Sequence, residues 1–199
     1  MNPLGANERV LFDEQLMSGA LSTSVESSGA TITNTLGVKR LNVTTAATNG
    51  STAYVQSPTF TNTVYTAILF EAFDLTFNTS SIGFEMGLVG TASAINAKIR
   101  QDAASSDSSV MIHLGTSVQT QSKLNIRLGS EISRSKKVSV LFLRRSKEIY
   151  VFLNDGIYGY STSTTWNGSA NDVNLKLGVT ARSDTATTAS MSRIRAVVW

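Results

Sequence analysis

The sequence contains no cysteine. That excludes a disulfide framework, cysteine-ligated zinc, iron–sulfur clusters and thiol catalysis. Prolines number 2, and only 16% of the 199 residues are charged. The one histidine, His113, rules out a histidine-rich metal site, and a Ser-His-Asp triad would have to use it. No apolar run approaches the ~20 residues of a membrane-spanning helix; Ala67-Ile68-Leu69-Phe70 is typical of the longest. The first residues, with Glu8, Arg9, Asp13 and Glu14, show no basic start followed by an apolar signal run. The expectation is a soluble chain with no export signal and no membrane partner.

What is present is hydroxyl: Ser and Thr make up about a quarter of the chain. Such a composition suits extended structure with solvated Ser/Thr faces. At this length a single domain buries about 70% of its extended surface, so no staple is needed. Net charge is +3, unevenly spread: residues 1–120 carry 5 basic and 9 acidic side chains, and residues 121–199 carry 12 and 5. A nucleic-acid binder concentrates its charge beside aromatics or on a helical motif. Neither is found here, so no nucleic-acid partner is expected. The asymmetry fits outward strand faces, or one charged end docking on an oppositely charged neighbour.

Two-residue alternation dominates from residue 38 onward. Val173, Leu175, Leu177 and Val179 alternate with Asn174, Lys176, Gly178 and Thr180. Phe84, Met86 and Leu88 alternate with Gly83, Glu85 and Gly87, and Ile194, Ala196 and Val198 with Arg193, Arg195 and Val197. Val110, Ile112 and Leu114 repeat the pattern, with His113 on the opposite face. The segment from Val64 to Phe77 is apolar on both faces and predicts one long central strand. Only Asn7 to Met17 carries a trace of a helical stripe. The expectation is an all-β chain: an antiparallel β-sandwich, a jelly roll of about twelve strands. Residues 1–20 are expected as an arm or edge strand, and 21–199 as a single sandwich domain.

Residues 137–161 predict a meander. Val138, Val140 and Phe142 lead to a polar tip, and Ile149, Val151 and Leu153 lead to Asn154-Asp155-Gly156, read as a three-residue hairpin with a glycine bulge. This register puts Ile157 on the face of Val138, Val140, Phe142, Ile149, Val151 and Leu153. Leu141, Leu143, Tyr150, Phe152, Tyr158 and Tyr160 then share the other face, with Phe152 opposite Tyr158 and Tyr150 opposite Tyr160. Both faces are apolar, so one must be covered by a loop, a ligand or another subunit.

These later segments, "KVSVLFLRR", "EIYVFLNDGIYGY", "NDVNLKLGV" and "MSRIRAVVW", resemble the closing strands of the concanavalin A-like lectin/glucanase (laminin G-like) jelly rolls, with Asn154-Asp155-Gly156 where the superfamily often has Asn-Gly. The likeness covers most of residues 36–199. It implies the jelly-roll fold. With no cysteine, little charge and Ser/Thr-rich loops, the chain looks most like the phage virion accessory proteins, decoration or fibre components, of that superfamily.

Retaining glucanases of this fold carry carboxylates on alternate residues of one strand, because the acid and the nucleophile must stand about 5 Å apart. Glu71-Ala72-Phe73-Asp74 has the wrong spacing, and Glu85 stands alone on its strand. No catalytic residue, cofactor or metal is therefore assigned. Asp102, Asp107, Asn154, Asp155, Asn171 and Asp172 are the loop residues of calcium-binding type, and no spacing singles out a site. The expected function is that of a non-enzymatic virion structural protein, located in the virion, bound to other capsid or tail proteins and forming a homo-oligomer. The alternative is a lectin-like module recognising a cell-surface glycan. The candidate contact residues, for glycan or subunit, are Tyr150, Phe152, Tyr158, Tyr160 and Trp166, since sugar binding needs aromatic platforms beside amide donors.

Overall fold

Alternating apolar residues can stay dry only if two sheets press their oily faces together. The computed structural model shows how this chain does so, for residues 8–16, 19–35, 37–61, 67–78, 82–90, 96–102, 109–114, 123–127, 137–145, 148–153, 156–162 and 172–199. Among these residues lie eighteen strands and no helix. In chain order they are β1 (Arg9–Glu14), β2 (Glu26–Ser28), β3 (Ala30–Thr35), β4 (Val38–Thr44), β5 (Thr52–Gln56), β6 (Phe60–Thr61), β7 (Ala67–Phe73), β8 (Thr76–Phe77) and β9 (Ile82–Gly90). There follow β10 (Asn96–Asp102), β11 (Ser109–Leu114), β12 (Lys123–Arg127), β13 (Lys137–Arg145), β14 (Glu148–Leu153), β15 (Gly156–Thr162), β16 (Asp172–Ala181), β17 (Thr188–Met191) and β18 (Arg193–Val198).

They form three antiparallel sheets. The first has the order β1-β18-β7-β13-β14-β15, and the second β12-β11-β10-β9-β16-β5-β2 with β6 alongside β16. The third, β3-β4-β17-β8, is smaller. Their inner faces share one core. Phe70, Phe142, Val140 and Ile194 come from the first sheet, Phe84, Met86, Leu175 and Leu177 from the second, and Leu41, Val43 and Met191 from the third. Phe12 meets Phe70 edge-on, with ring centroids 6.0 Å apart. The expected antiparallel sandwich is therefore the fold, with more and shorter strands than the twelve expected, because Ser/Thr-rich stretches read as loops contain β2, β3 and β17.

Residues 9–14 form β1, an edge strand paired along β18 from Arg9–Val198 to Glu14–Ile194, the second of the two paths expected of residues 1–20. Two local expectations are corrected. The long strand expected from Val64 to Phe77 is broken: β7 ends at Phe73, and β8 belongs to the third sheet. Asp74 makes the corner at φ 52, a left-handed conformation that Asp tolerates better than most residues. Its carbonyl accepts from Arg40 Nη2 at 2.7 Å, and its carboxylate from Ser192 Oγ at 2.7 Å. In the meander, Leu153 pairs with Gly156, so two residues connect β14 and β15 instead of three. Ile157 then faces Phe152, and a register shift follows before Val151 faces Gly159. Tyr158 falls at that irregularity and not opposite Phe152, whereas Tyr150 does face Tyr160. Asn154 and Asp155 lie outside the described residues.

Candidate functional site

The outward face of the second sheet is built around strands β9, β16 and β5. Their inward residues are fully buried and hold the strands rigidly: Phe84, Met86 and Leu88 in β9, Leu175 and Leu177 in β16, Ala53 and Val55 in β5. The alternate positions face away from the core. On β9 these are Gly83, Glu85 and Gly87; the two glycines are buried beneath neighbouring side chains, and Glu85 is the half-buried carboxylate between them. On β16 they are Asn174, Lys176, Gly178 and Thr180, and on β5 Tyr54 and Gln56. Glycine at outward positions inside a strand marks a place where something approaches the backbone closely.

The register aligns these positions in rows. One row reads Glu26, Gln56, Lys176, Gly87, Lys98, His113. The next reads Ser28, Tyr54, Gly178, Glu85, Arg100, Met111, Lys123. Lys176 links the two rows. Its ammonium lies 3.3 Å from Glu85 Oε1 and 4.9 Å from the centroid of the Tyr54 ring. Gly178 lies between Tyr54 and Glu85; a Cβ there would stand 3.4 Å from both Glu85 Cγ and Lys176 Cε. Gly178 is itself buried beneath these two side chains, so the candidate trough is lined by an aromatic ring, an ammonium and a carboxylate side by side, not by bare glycine backbone. Gln56 Nε2 donates to Glu26 Oε2 at 2.8 Å at one rim. At another, the Arg182 guanidinium lies over Gly83, where a Cβ would be 3.1 Å from Nε. Asn174 is occupied otherwise: buried, it donates to the Ser57 carbonyl at 2.9 Å and to Thr59 Oγ1 at 3.2 Å, pinning the turn before β6.

The residues singled out from sequence lie on the other sheet. Tyr150 and Phe152 are half-buried on the outward side of β14, opposite Leu143 and Leu141 of β13. Tyr158 and Tyr160 belong to β15, the edge strand beside it. Trp166 lies outside the described residues, as do Asp107 and Asn171. The same outward face is charged at its other end. Arg193 donates from Nε to Asp13 Oδ1 at 2.7 Å, and this bond holds the Asp13 carboxyl below its ordinary value and the Arg193 guanidinium above its own. Glu71 is buried between Lys137, at 2.6 Å, and Arg195, at 3.7 Å. Phe73 carries Lys137 and Arg193 over its ring, at 5.3 and 5.4 Å. These carboxylates are engaged by cations and form no acid–nucleophile pair. Among the described residues no group of three or more His, Asp or Glu is placed to hold a metal.

With this geometry in hand, the solved structures that the chain resembles can be weighed. The carbohydrate-recognition domain of Emp47p superposes with a TM-score of 0.61 at 6% identity, covering 98% of this chain and 99% of that one. A laminarinase from a Flavobacterium species gives 0.62 at 10% identity, over 96% and 100%. SCLam, a non-specific endo-β-1,3(4)-glucanase from family GH16, gives 0.62 at 8% identity, over 97% and 92%. The chain shares the jelly-roll β-sandwich fold of these structures. At such identities the likeness concerns the chain path and carries no residue roles across. No protein-family model matches the sequence, and no curated protein sequence does.

Sequence reasoning sought clustered aromatics and so passed over Tyr54, a lone ring between Ala53 and Val55. The signal was Gly83-x-Glu85-x-Gly87: glycines at the polar positions of a strand whose other positions are core.

Proposed function

We propose that the chain is a non-catalytic carbohydrate-binding module, and that it binds sugar on the outward face of β5, β16 and β9. The feature that supports this reading is the half-buried cluster of Tyr54, Lys176 and Glu85. A sugar needs an apolar ring to stack on and charged or amide groups to bond its hydroxyls, and the trough presents both on strands that the core holds rigid. The similar structures, a carbohydrate-recognition domain and two glucan-cleaving enzymes, agree in substrate class. The proposal stops at binding because a retaining hydrolase needs two carboxyl groups about 5 Å apart. The outward positions of β9 hold only Glu85, which is engaged by Lys176.

Affinity electrophoresis through gels containing soluble polysaccharides tests this. The protein is expected to be retarded by at least one polysaccharide, and Tyr54→Ala to abolish the retardation while leaving the thermal transition in place. Unchanged retardation of Tyr54→Ala would remove the trough from consideration. Release of reducing sugar that depends on Glu85 would overturn the non-catalytic reading.

A virion role and homo-oligomerisation rest on a different feature. In the row Val10, Val197, Leu69, Leu141 and Phe152 across the first sheet, Val10 is 48% exposed and Val197 is buried, while Leu69, Leu141 and Phe152 are half-buried. The half-buried and exposed members are where such contacts would be made. None of the similar structures named above is described as a virion component. Light scattering on the purified chain tests the oligomer directly.

A further inference from the structure

Strand β3 ends the third sheet, and among the described residues no strand pairs with its other side. Natural proteins guard such edges with charge, proline, bulges or short strands. The other sheet edges follow this practice. β1 carries Arg9, Asp13 and Glu14 and a register shift. β12 carries Lys123 and Arg127, and β15 is bulged against its neighbour. β2 has three residues and β8 two. β3 uses none of these devices. It runs Ala-Thr-Ile-Thr-Asn-Thr, six residues without charge or proline, in unbroken register with β4. Thr31, Thr33 and Asn34 are exposed.

One hydrogen bond fixes which backbone groups point out. The Thr44 N–H donates to the Gly29 carbonyl at 2.8 Å, one step before the pair Ala30–Val43. In an antiparallel ladder alternate residues turn both of their groups toward the partner strand. Gly29, Thr31 and Thr33 therefore bond β4, while Ala30, Ile32 and Asn34 turn N–H and C=O away from it. We infer that this edge pairs antiparallel with β3 of a second copy, about a twofold axis through Ile32, and joins two third sheets into one. The contact is separate from the sugar-binding face and from the first-sheet surface proposed above. Matching the sheet faces requires residues of the same parity to oppose each other. With Ile32 opposite Ile32 of the second copy, Ala30 opposes Asn34 and Thr31 opposes Thr33. Every outward N–H then meets an outward C=O. Ala30 and Ile32 pack on the core side, so the apolar row through Leu41 and Ile32 runs on into the second copy. On the outer side the threonines form favourable cross-strand pairs, and no charge opposes a like charge. Two edges of this length bury less than the ~1,200 Å² of a standard interface, so the dimer is weak and concentration-dependent.

Sedimentation equilibrium and amide exchange on the whole chain, from ~10 µM to ~1 mM, test this. The average mass is expected to rise toward the dimer. The amides of Ile32 and Asn34 are expected to exchange more slowly at the top of the range, and that of Thr33, already bonded to β4, to stay unchanged. Ile32→Pro removes an outward donor and sets a ring on the edge, where proline is tolerated. Thr31→Lys/Thr33→Lys sets lysines opposite each other across the axis. Each is expected to weaken the dimer at least tenfold and to keep the strand signal in circular dichroism. The lysine variant retains every backbone donor, so it decides if Ile32→Pro fails to fold. Undiminished dimerisation of the lysine variant, or protection that does not reach Ile32 and Asn34, overturns the inference and leaves the first-sheet surface as the contact. A parent that stays monomeric at the highest concentration overturns both.

Discussion

Filling the floor of the trough separates folding from binding in a single substitution. Gly178 lies mid-strand in β16, paired with Tyr54 on one side and Glu85 on the other. Gly178→Val adds a side chain of high strand propensity where glycine is weak, a change on the order of 1 kcal/mol in favour of the fold. The new Cβ would lie 3.4 Å from Glu85 Cγ and Lys176 Cε and 3.5 Å from the Ala53 carbonyl oxygen. The first two belong to flexible side chains about a quarter exposed, so they can give way, at the expense of an ion pair worth about 0.2–1 kcal/mol. The two effects nearly cancel. The melting temperature should stay within about 4 °C of the parent, the shift that ~1 kcal/mol produces in a domain of this size. The valine, however, displaces Lys176 and Glu85 from beside Tyr54, and affinity should fall at least tenfold, or about 1.4 kcal/mol. Differential scanning calorimetry and polysaccharide titration on the same preparation read both numbers. A variant that melts normally and binds normally refutes the placement of the site.

Four further outcomes test the fold and its charges. Gly29 turns the chain from β2 to β3 at φ 67, where a Cβ would stand 2.4 Å from the Thr44 carbonyl oxygen and 2.8 Å from Ala53 Cβ; Gly29→Ala should cost about 3 kcal/mol in urea denaturation, from backbone strain plus overlap. Gly37, at φ 80 with open space around it, should lose only about 1 kcal/mol on the same change, and equal losses at the two sites would deny the close approach at Gly29. Phe70→Ala, at a fully buried ring, should cost about 3–5 kcal/mol. Asp13 has its carboxyl lowered from 3.8 in the folded chain, so its bond to Arg193 contributes fully above that value and is lost as pH falls below it. Asp13→Asn should therefore be less stable than the parent by up to about 1 kcal/mol at pH 7, with the gap closing in acid; a gap that widens in acid contradicts the sign.

The architecture was legible because the chain alternates so plainly. In β16 and β18 the expected inward sets are all buried, and Asn174, Gly178 and Val197, expected on the outward faces, are buried as well. What escaped was set by contacts distant in sequence. A run that is apolar on both faces gives no sign of breaking at Asp74; the corner is held by Arg40 and by Ser192, the latter 118 residues away. The hairpin after Leu153 turned on whether Gly156 belongs to the loop or to the strand, and one residue of difference changed the register of β15 against β14. The candidate trough was half visible. Its glycines and Glu85 could be read from β9, but Tyr54 and Lys176 join them only through strand order, which alternation cannot supply.

The most direct test of the binding face is an NMR titration of the labelled protein with oligosaccharides of whichever polysaccharide retards it. The amides of Tyr54, Glu85, Gly87, Lys176 and Gly178 are predicted to shift together, on three neighbouring strands. Shifts confined to Tyr150, Phe152, Tyr158 and Tyr160, on the opposite sheet, would contradict it.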